Sequence, residues 1–159
     1  MHTAYLLLGS NIGDSKAALQ LAEKNVEETL GPIKNRSAFY RTAAWGNTDQ
    51  PDFLNRIISI ETAFTAMETL EKILETEETM GRTRSYKNAP RLIDIDILFF
   101  DDEVIHTKEL TVPHPEIQNR RFVLEPLNEI APTFIHPVLH KTTAEMLAAC
   151  GDHLNVQKI

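Results

Sequence analysis

A chain of 159 residues is long enough for one hydrophobic core and short of the length at which chains divide, so a single domain spanning 1–159 is expected. With 42% hydrophobic and 25% charged residues, the composition excludes extended disorder and collagen-like repetition, and no apolar run approaches the ~20 residues of a membrane crossing. Sixteen Lys and Arg against 23 Asp and Glu, a formal net charge of -7, is the wrong sign for attraction to nucleic-acid phosphates. A polyanionic small molecule is admissible only where basic residues cluster or a metal ion supplies positive charge. The first ten residues lack the basic start and small-residue cleavage site of a secretory signal. The lone Cys150 offers neither a disulfide nor a Cys-rich zinc site. A cytoplasmic monomer with Cys150 in a packing role is expected.

An apolar run at 4–8 predicts a first strand ending in the turn-prone Gly9-Ser10-Asn11-Ile12-Gly13-Asp14. Leu19, Ala22, Val26 and Leu30 then recur at helical spacing, and Gly31-Pro32 ends the helix. A second strand is predicted at 33–42, with Ala38 and Tyr40 on one side and Phe39 on the other. Residues 53–62 are rich in β-branched side chains, and Thr65-Ala66-Met67-Glu68 forms a capping box. The helix it opens presents Met67, Leu70, Ile73 and Leu74 and closes at Gly81. The strongest strand signal is 92–100. This order is βαββαβ: an α+β, ferredoxin-like core whose antiparallel sheet has helices packed on one face. Beyond Asp101 the pattern predicts a short strand pair around 104–106 and a helical stretch at 115–131 interrupted at Pro126. A last helix, opened by the capping box Thr142-Thr143-Ala144-Glu145 and closed by Gly151, completes a C-terminal extension.

Asp94-Ile95-Asp96 lies inside the strongest strand. Alternation puts Ile93, Ile95, Ile97 and Phe99 in one buried stripe, and Asp94 and Asp96 on the other face beside Leu92 and Leu98, with Cα atoms roughly 6.5–7 Å apart. Two such carboxylates repel unless they are protonated, paired with bases or bridged by cations; a solvated outer face is the plainer alternative. Residues 82–93 hold Arg82, Arg84, Lys87 and Arg91 and no acid. Hard oxygen ligands beside guanidinium forks are what a metal-bound phosphoryl site requires, although the same arginines have Glu71, Glu75, Glu77 and Glu78 to pair with on the preceding helix. No P-loop or dinucleotide fingerprint is present, so any nucleotide is held by side chains and metal. His136 and His140 have i,i+4 spacing, but Pro137 opposes a regular helix and they read as surface residues. His114, in Thr111-Val112-Pro113-His114-Pro115, stands a few residues before Asn119-Arg120-Arg121-Phe122, where it either brings a donor towards phosphate or is structural. The segment from Tyr40 to Asn55 mixes aromatics with amides and hydroxyls, which suits a flat heteroaromatic ligand or, equally, anchors a loop.

Taken together and in this order, Gly9-Ser10-Asn11, Phe39-Tyr40-Arg41-Thr42, Gln50-Pro51-Asp52-Phe53-Leu54-Asn55, Gly81-Arg82-Thr83-Arg84, Ala89-Pro90-Arg91-Leu92-Ile93-Asp94-Ile95-Asp96, Val112-Pro113-His114 and Asn119-Arg120-Arg121-Phe122 resemble the 6-hydroxymethyl-7,8-dihydropterin pyrophosphokinase family. The Pro-Arg-x-x-Asp-x-Asp core is its diagnostic element. The resemblance implies transfer of pyrophosphate from ATP to a pterin alcohol in folate biosynthesis, with release of AMP. It implies that Asp94 and Asp96 hold two Mg²⁺ ions and that Arg82 and Arg91 act with them in catalysis. Glu77, Arg84, Arg91, His114 and Arg120 would bind ATP. Thr42, Ala43, Trp45, Phe53, Asn55 and Phe122 would bind the pterin. Asn88 stands where family members often carry a covering aromatic. Two other classes stay open at this point: a ferredoxin-like module that binds a small ligand or RNA without chemistry, and a Mg²⁺-dependent nucleotide hydrolase without a pterin pocket.

Overall fold

In a computed structural model, residues 1–43, 51–81 and 92–159 are described. The elements run β1 (His2–Ser10), α1 (Ser15–Thr29), β2 (Ile33–Arg36), β3 (Tyr40–Thr42), β4 (Phe53–Thr62), α2 (Ala66–Thr79) and β5 (Asp94–Phe100). There follow β6 (Ile105–His106), β7 (Thr111–Val112), α3 (Arg121–Ile130), α4 (Thr143–Ala149) and β8 (Val156–Lys158).

Local chemistry accounts for these boundaries. The Asp14 carboxylate accepts the Ala17 N–H and starts α1, whose Leu19, Ala22 and Val26 are buried. Gly31, at φ +147°, ends the turn after it, and a Cβ there would lie 2.0 Å from the Glu61 carbonyl oxygen. Only glycine lets the chain pass so close to β4. Thr65 and Glu68 cap α2 reciprocally, and Thr142 and Glu145 do the same for α4, as their spacing predicts.

The sheet order is β5-β1-β4-β3-β8, with β2 also paired to β4, all antiparallel. With the β2 and β3 segments in the place of the second core strand, this is the ferredoxin-like order. Ala4, Leu6, Leu8, Ile58, Ile60, Ile95 and Ile97 pack with Leu19, Ala22, Val26 and Ile73 of α1 and α2 on one face. On the other, Leu7, Ile57, Leu98 and Phe99 pack with Val123, Leu124 and Leu127 of α3 and Met146 and Cys150 around α4. The C-terminal extension is therefore the second wall of the molecule, and Cys150 packs as expected.

Several expectations need correction. The strand at 33–42 is two strands, because Ser37 meets Ile57 through its own hydroxyl and the Ala38 N–H leaves the ladder for Glu129. Phe99 does not share the stripe of Ile93, Ile95 and Ile97. The register with β1 skips Leu98, so Leu98 is an extra residue, and it and Phe99 both join the α3 face while Phe100 returns to the other. Pro126 does not interrupt its helix. It sits buried inside α3, where one forgone helical hydrogen bond is outweighed by the packing of Val123, Leu124 and Leu127. His136 is buried, edge-on to Phe99 at 5.5 Å, and its Nδ1 accepts the N–H groups of Val138 and Leu139. The pairing of β8 with β3 had no sequence signal.

Candidate functional site

Of the described candidates, Asp94, Asp96, Asn55 and Thr42 share the α3 face, at the end of the sheet where β5 begins. Residues opposite one another in register share a face, so Asp94, Gly9, Asn55 and Tyr40 form one row across β5, β1, β4 and β3. Asp96 stands in the next row, opposite Leu7. With Ile95 and Ile97 buried against α1 and α2, alternation turns both carboxylates to the α3 side, half-buried. The pairing of face and acids is as the sequence predicts.

Gly9 is the low point of the row. A Cβ there would lie 2.8 Å from Asn55 Oδ1 and 3.8 Å from the Phe53 ring. Glycine inside a strand marks close approach of another group, and here the bare backbone lets the Asn55 amide lie directly against β1 in the row that holds Asp94. Asn55 is buried and its Nδ2 donates to Thr42 Oγ1 at 3.3 Å, which fixes the amide plane. Thr42 is likewise buried, Phe53 is half-buried and Ala43 is exposed just beyond β3. The Asn11 side chain donates to the Pro51 carbonyl at 3.2 Å and ties the loop after β1 to the start of β4.

His114 and Arg120 bring basic chemistry to the acids. The His114 N–H donates to the Leu98 carbonyl, and its ring Nδ1 accepts the Glu116 N–H at 3.1 Å. Burial, then the nearby Arg120 charge, hold the imidazole below its ordinary pKa against the opposing pull of Glu116 and Asp94. A neutral ring accepting at Nδ1 carries its proton on Nε2, a donor without charge. The Arg120 guanidinium lies 5.9 Å from the centre of the Phe122 ring, near the start of α3. Glu77, in the last turn of α2, is buried and its Oε2 accepts the Ile95 N–H at 2.7 Å, between the two aspartates in sequence. It thus braces the strand that carries them. Arg82, Arg84, Arg91 and Trp45, with Lys87 and Asn88, lie outside the described residues.

Spacing gives no sign of two contacts that shape this region: the close approach of Asn55 to Gly9, and the donation of the Tyr40 hydroxyl to Glu129 of α3 at 2.6 Å. Burial first, then this hydrogen bond and the charges of Glu129 and Glu125, raise the phenol pKa above its ordinary value. Elsewhere, His2, Asp101 and Glu103 bring possible metal ligands together, but at the far end of β1, where His2 Nδ1 already lies within hydrogen-bond distance of Asp101 Oδ2, at 2.6 Å.

Fold and row define an α+β, ferredoxin-like protein whose polar site lies on the sheet face away from α1 and α2. Residues 5–132 match the model of the family described as 7,8-dihydro-6-hydroxymethylpterin-pyrophosphokinase. The chain is 44% identical to the 2-amino-4-hydroxy-6-hydroxymethyldihydropteridine pyrophosphokinase of Aquifex aeolicus, over 91% of this chain and 90% of that one. It is 43% identical to the protein of the same name from Methylorubrum extorquens, over 93% of each. Among solved structures, Plasmodium falciparum HPPK-DHPS, wild type, superposes with a TM-score of 0.77 at 19% identity, over 93% of this chain and 44% of that one. Its complex with STZ-DHP superposes with a TM-score of 0.78 at 20% identity, again over 93% of this chain and 43% of the other. The chain thus spans less than half of those solved chains, which share its fold. The chain belongs to the 7,8-dihydro-6-hydroxymethylpterin-pyrophosphokinase family.

Proposed function

We propose that this chain carries out its family's reaction on the α3 face of the sheet, at the row from Asp94 to Asn55. It is a pyrophosphokinase of folate synthesis: ATP is its co-substrate, and pyrophosphate passes to the hydroxymethyl group of 6-hydroxymethyl-7,8-dihydropterin. The hydroxymethyl oxygen bonds to the β-phosphorus, the bond between the α and β phosphates breaks, and AMP leaves.

The observation that carries this assignment is the placement of Asp94 and Asp96 on the same face as Gly9 and Asn55, with His114 close enough to sense the charges of both Asp94 and Arg120. Two half-buried carboxylates on one strand face are a hard-oxygen donor set that fits Mg²⁺. Asp94 and Asp96 would hold two such ions, which when bound supply charge neutralisation and polarisation of the phosphates. The remaining work belongs to the protein. His114, as a neutral Nε2–H donor, and Arg120 hold phosphate oxygens, Arg82, Arg84 and Arg91 add charge from the adjoining segment, and Glu77 braces the strand on the ATP side. Asn55, oriented by Thr42 and lying against Gly9, reads the edge of the pterin, whose flat ring suits stacking on Phe122. Phe53, Ala43 and Trp45 border it.

The whole of 1–159 is read as one unit of this kind, because β8 returns to β3 and α4 completes the second core. It is proposed to act as a cytoplasmic monomer without nucleic acid. Among the described residues no helix is long and apolar enough to cross a membrane. Phosphorus NMR of the protein with ATP, Mg²⁺ and the pterin alcohol tests the reaction. AMP and a pterin diphosphate, formed only with both substrates present, are expected; ADP or inorganic phosphate as the product would overturn the assignment in favour of a kinase or a hydrolase.

A further inference from the structure

Glu129 occupies the last turn of α3, where a negative charge opposes the helix dipole. Its carboxylate is nonetheless heavily used. Oε1 accepts the Tyr40 hydroxyl at 2.6 Å, both oxygens take the Ala38 N–H at 3.0 and 3.2 Å, and Lys158 of β8 approaches to 3.8 Å. These partners come from the segment between β2 and β3, from β3 itself and from the final strand. A hydrogen bond to a charged acceptor is stronger than a neutral pair, so Glu129 holds one end of α3 firmly to the β3 edge. The other end is held by Asp152, whose Oδ2 accepts the Arg121 N–H at 3.0 Å.

What α3 carries makes this attachment matter. Phe122 and, just before the helix, Arg120 belong to its N-terminal end, while Tyr40 lies in register beside Asn55 in the same row as Gly9 and Asp94. In the functional assignment above, a flat ring would lie between the sheet row and Phe122 at the start of α3, so its fit would depend on how α3 is docked.

We propose that Glu129, through the Tyr40 hydroxyl and the Ala38 N–H, is a positioning residue that fixes α3 over the sheet and thereby sets the width of the pterin pocket between Phe122 and the row containing Asn55. This rests on the functional assignment above. Glu129 touches no reacting atom, so its loss should affect pterin affinity before it affects ATP or the chemical step.

Tyr40→Phe removes one donor and keeps the ring in the core, and Glu129→Gln keeps the shape and removes the charge. The loss of one hydrogen bond to a charged group predicts that pterin Kd and KM rise about tenfold in Tyr40→Phe, and less in Glu129→Gln, which keeps a neutral acceptor, with ATP KM and kcat within about twofold of wild type in both. Because both variants act on the same Tyr40–Glu129 contact, Tyr40→Phe by removing it and Glu129→Gln by removing its charge, the double variant should be little worse than Tyr40→Phe alone. Glu129→Ala, which also frees the Ala38 N–H, should lose more. Pterin binding followed by equilibrium fluorescence, alongside steady-state kinetics and thermal unfolding, provides the readout. A fall in Tm with pterin Kd unchanged would make the contact merely structural and overturn the inference, as would equal weakening of ATP and pterin. Wild-type protein that makes no pterin diphosphate would overturn the functional assignment itself, and the positioning role with it; an active wild type with unaffected variants would overturn the positioning role alone.

Discussion

The two faces of the sheet solve opposite problems with the same strands. Against α1 and α2, every inward position from Ala4 to Leu8 and from Ile93 to Ile97 is apolar and buried, so this face can only contribute stability. Against α3, the same strands present Leu7, Ile57, Leu98 and Phe99 to a second core but turn Asp94, Asp96, Asn55 and Gly9 outward at one end, where the core stops. The site therefore sits at the rim of a hydrophobic layer, where rigid strands hold polar groups in register and the start of a helix supplies cover. A site placed there can be altered without dissolving the fold.

That contrast makes distinct demands on variants. Asp96→Ala, and equally Asp94→Ala, should lower turnover by on the order of 10²–10³-fold, since a bound metal contributes several kcal/mol of charge stabilisation, and should leave thermal unfolding nearly unchanged; phosphorus NMR and calorimetry check the two halves. Leu6→Ala on the opposite face should do the reverse, costing about 2–5 kcal/mol in denaturant unfolding while the folded fraction keeps its turnover. A smaller effect is expected of Gly9→Ala. Its Cβ would meet Asn55 Oδ1 at 2.8 Å and displace the amide, raising pterin KM by about tenfold with ATP KM unchanged.

The smallest effect concerns pH and lies within the second core. Burial, aided by the His140 charge, holds His136 below its ordinary pKa of 6.5. Its contribution is complete above that value. As pH falls below it, the unfolded chain binds the proton first and stability declines, until the folded imidazole also protonates. Thermal unfolding at about pH 7.5 and about pH 5.5 should show a larger drop for wild type than for His136→Asn, whose amide oxygen can accept the same N–H groups.

Much of this was legible in the chain because the signals are local. The capping boxes at Thr65 and Thr142, the stop at Gly31 and the face shared by Asp94 and Asp96 follow from spacing alone. What escaped depends on partners distant in sequence. Nothing near residue 38 announces that its N–H will leave the ladder for Glu129, 91 positions away, nor that β8 will find β3. His136 has the composition of a surface turn and is buried because Phe99 accepts its edge. Strict alternation puts Phe99 on the wrong face because it has no symbol for an extra residue.

The helix-end glutamates share a device that composition disguises as mere surface acidity. Glu27, Glu77 and Glu129 each stand in the last turn of a helix and accept an N–H from the sheet side, of Ile33 in β2, of Ile95 in β5 and of Ala38 between β2 and β3. Part of the net negative charge of the chain is thus structural mortar between helices and strands.

The extra residue at Leu98 has a broader consequence. It divides β5 into two phases of alternation, so the half that bears the aspartates and the half that anchors Phe99 and Phe100 are, in effect, two reading frames joined by a shift. Drift in the pattern of one half need not propagate into the other, and the strand can serve as ligand holder and core wall without the two roles competing for the same side.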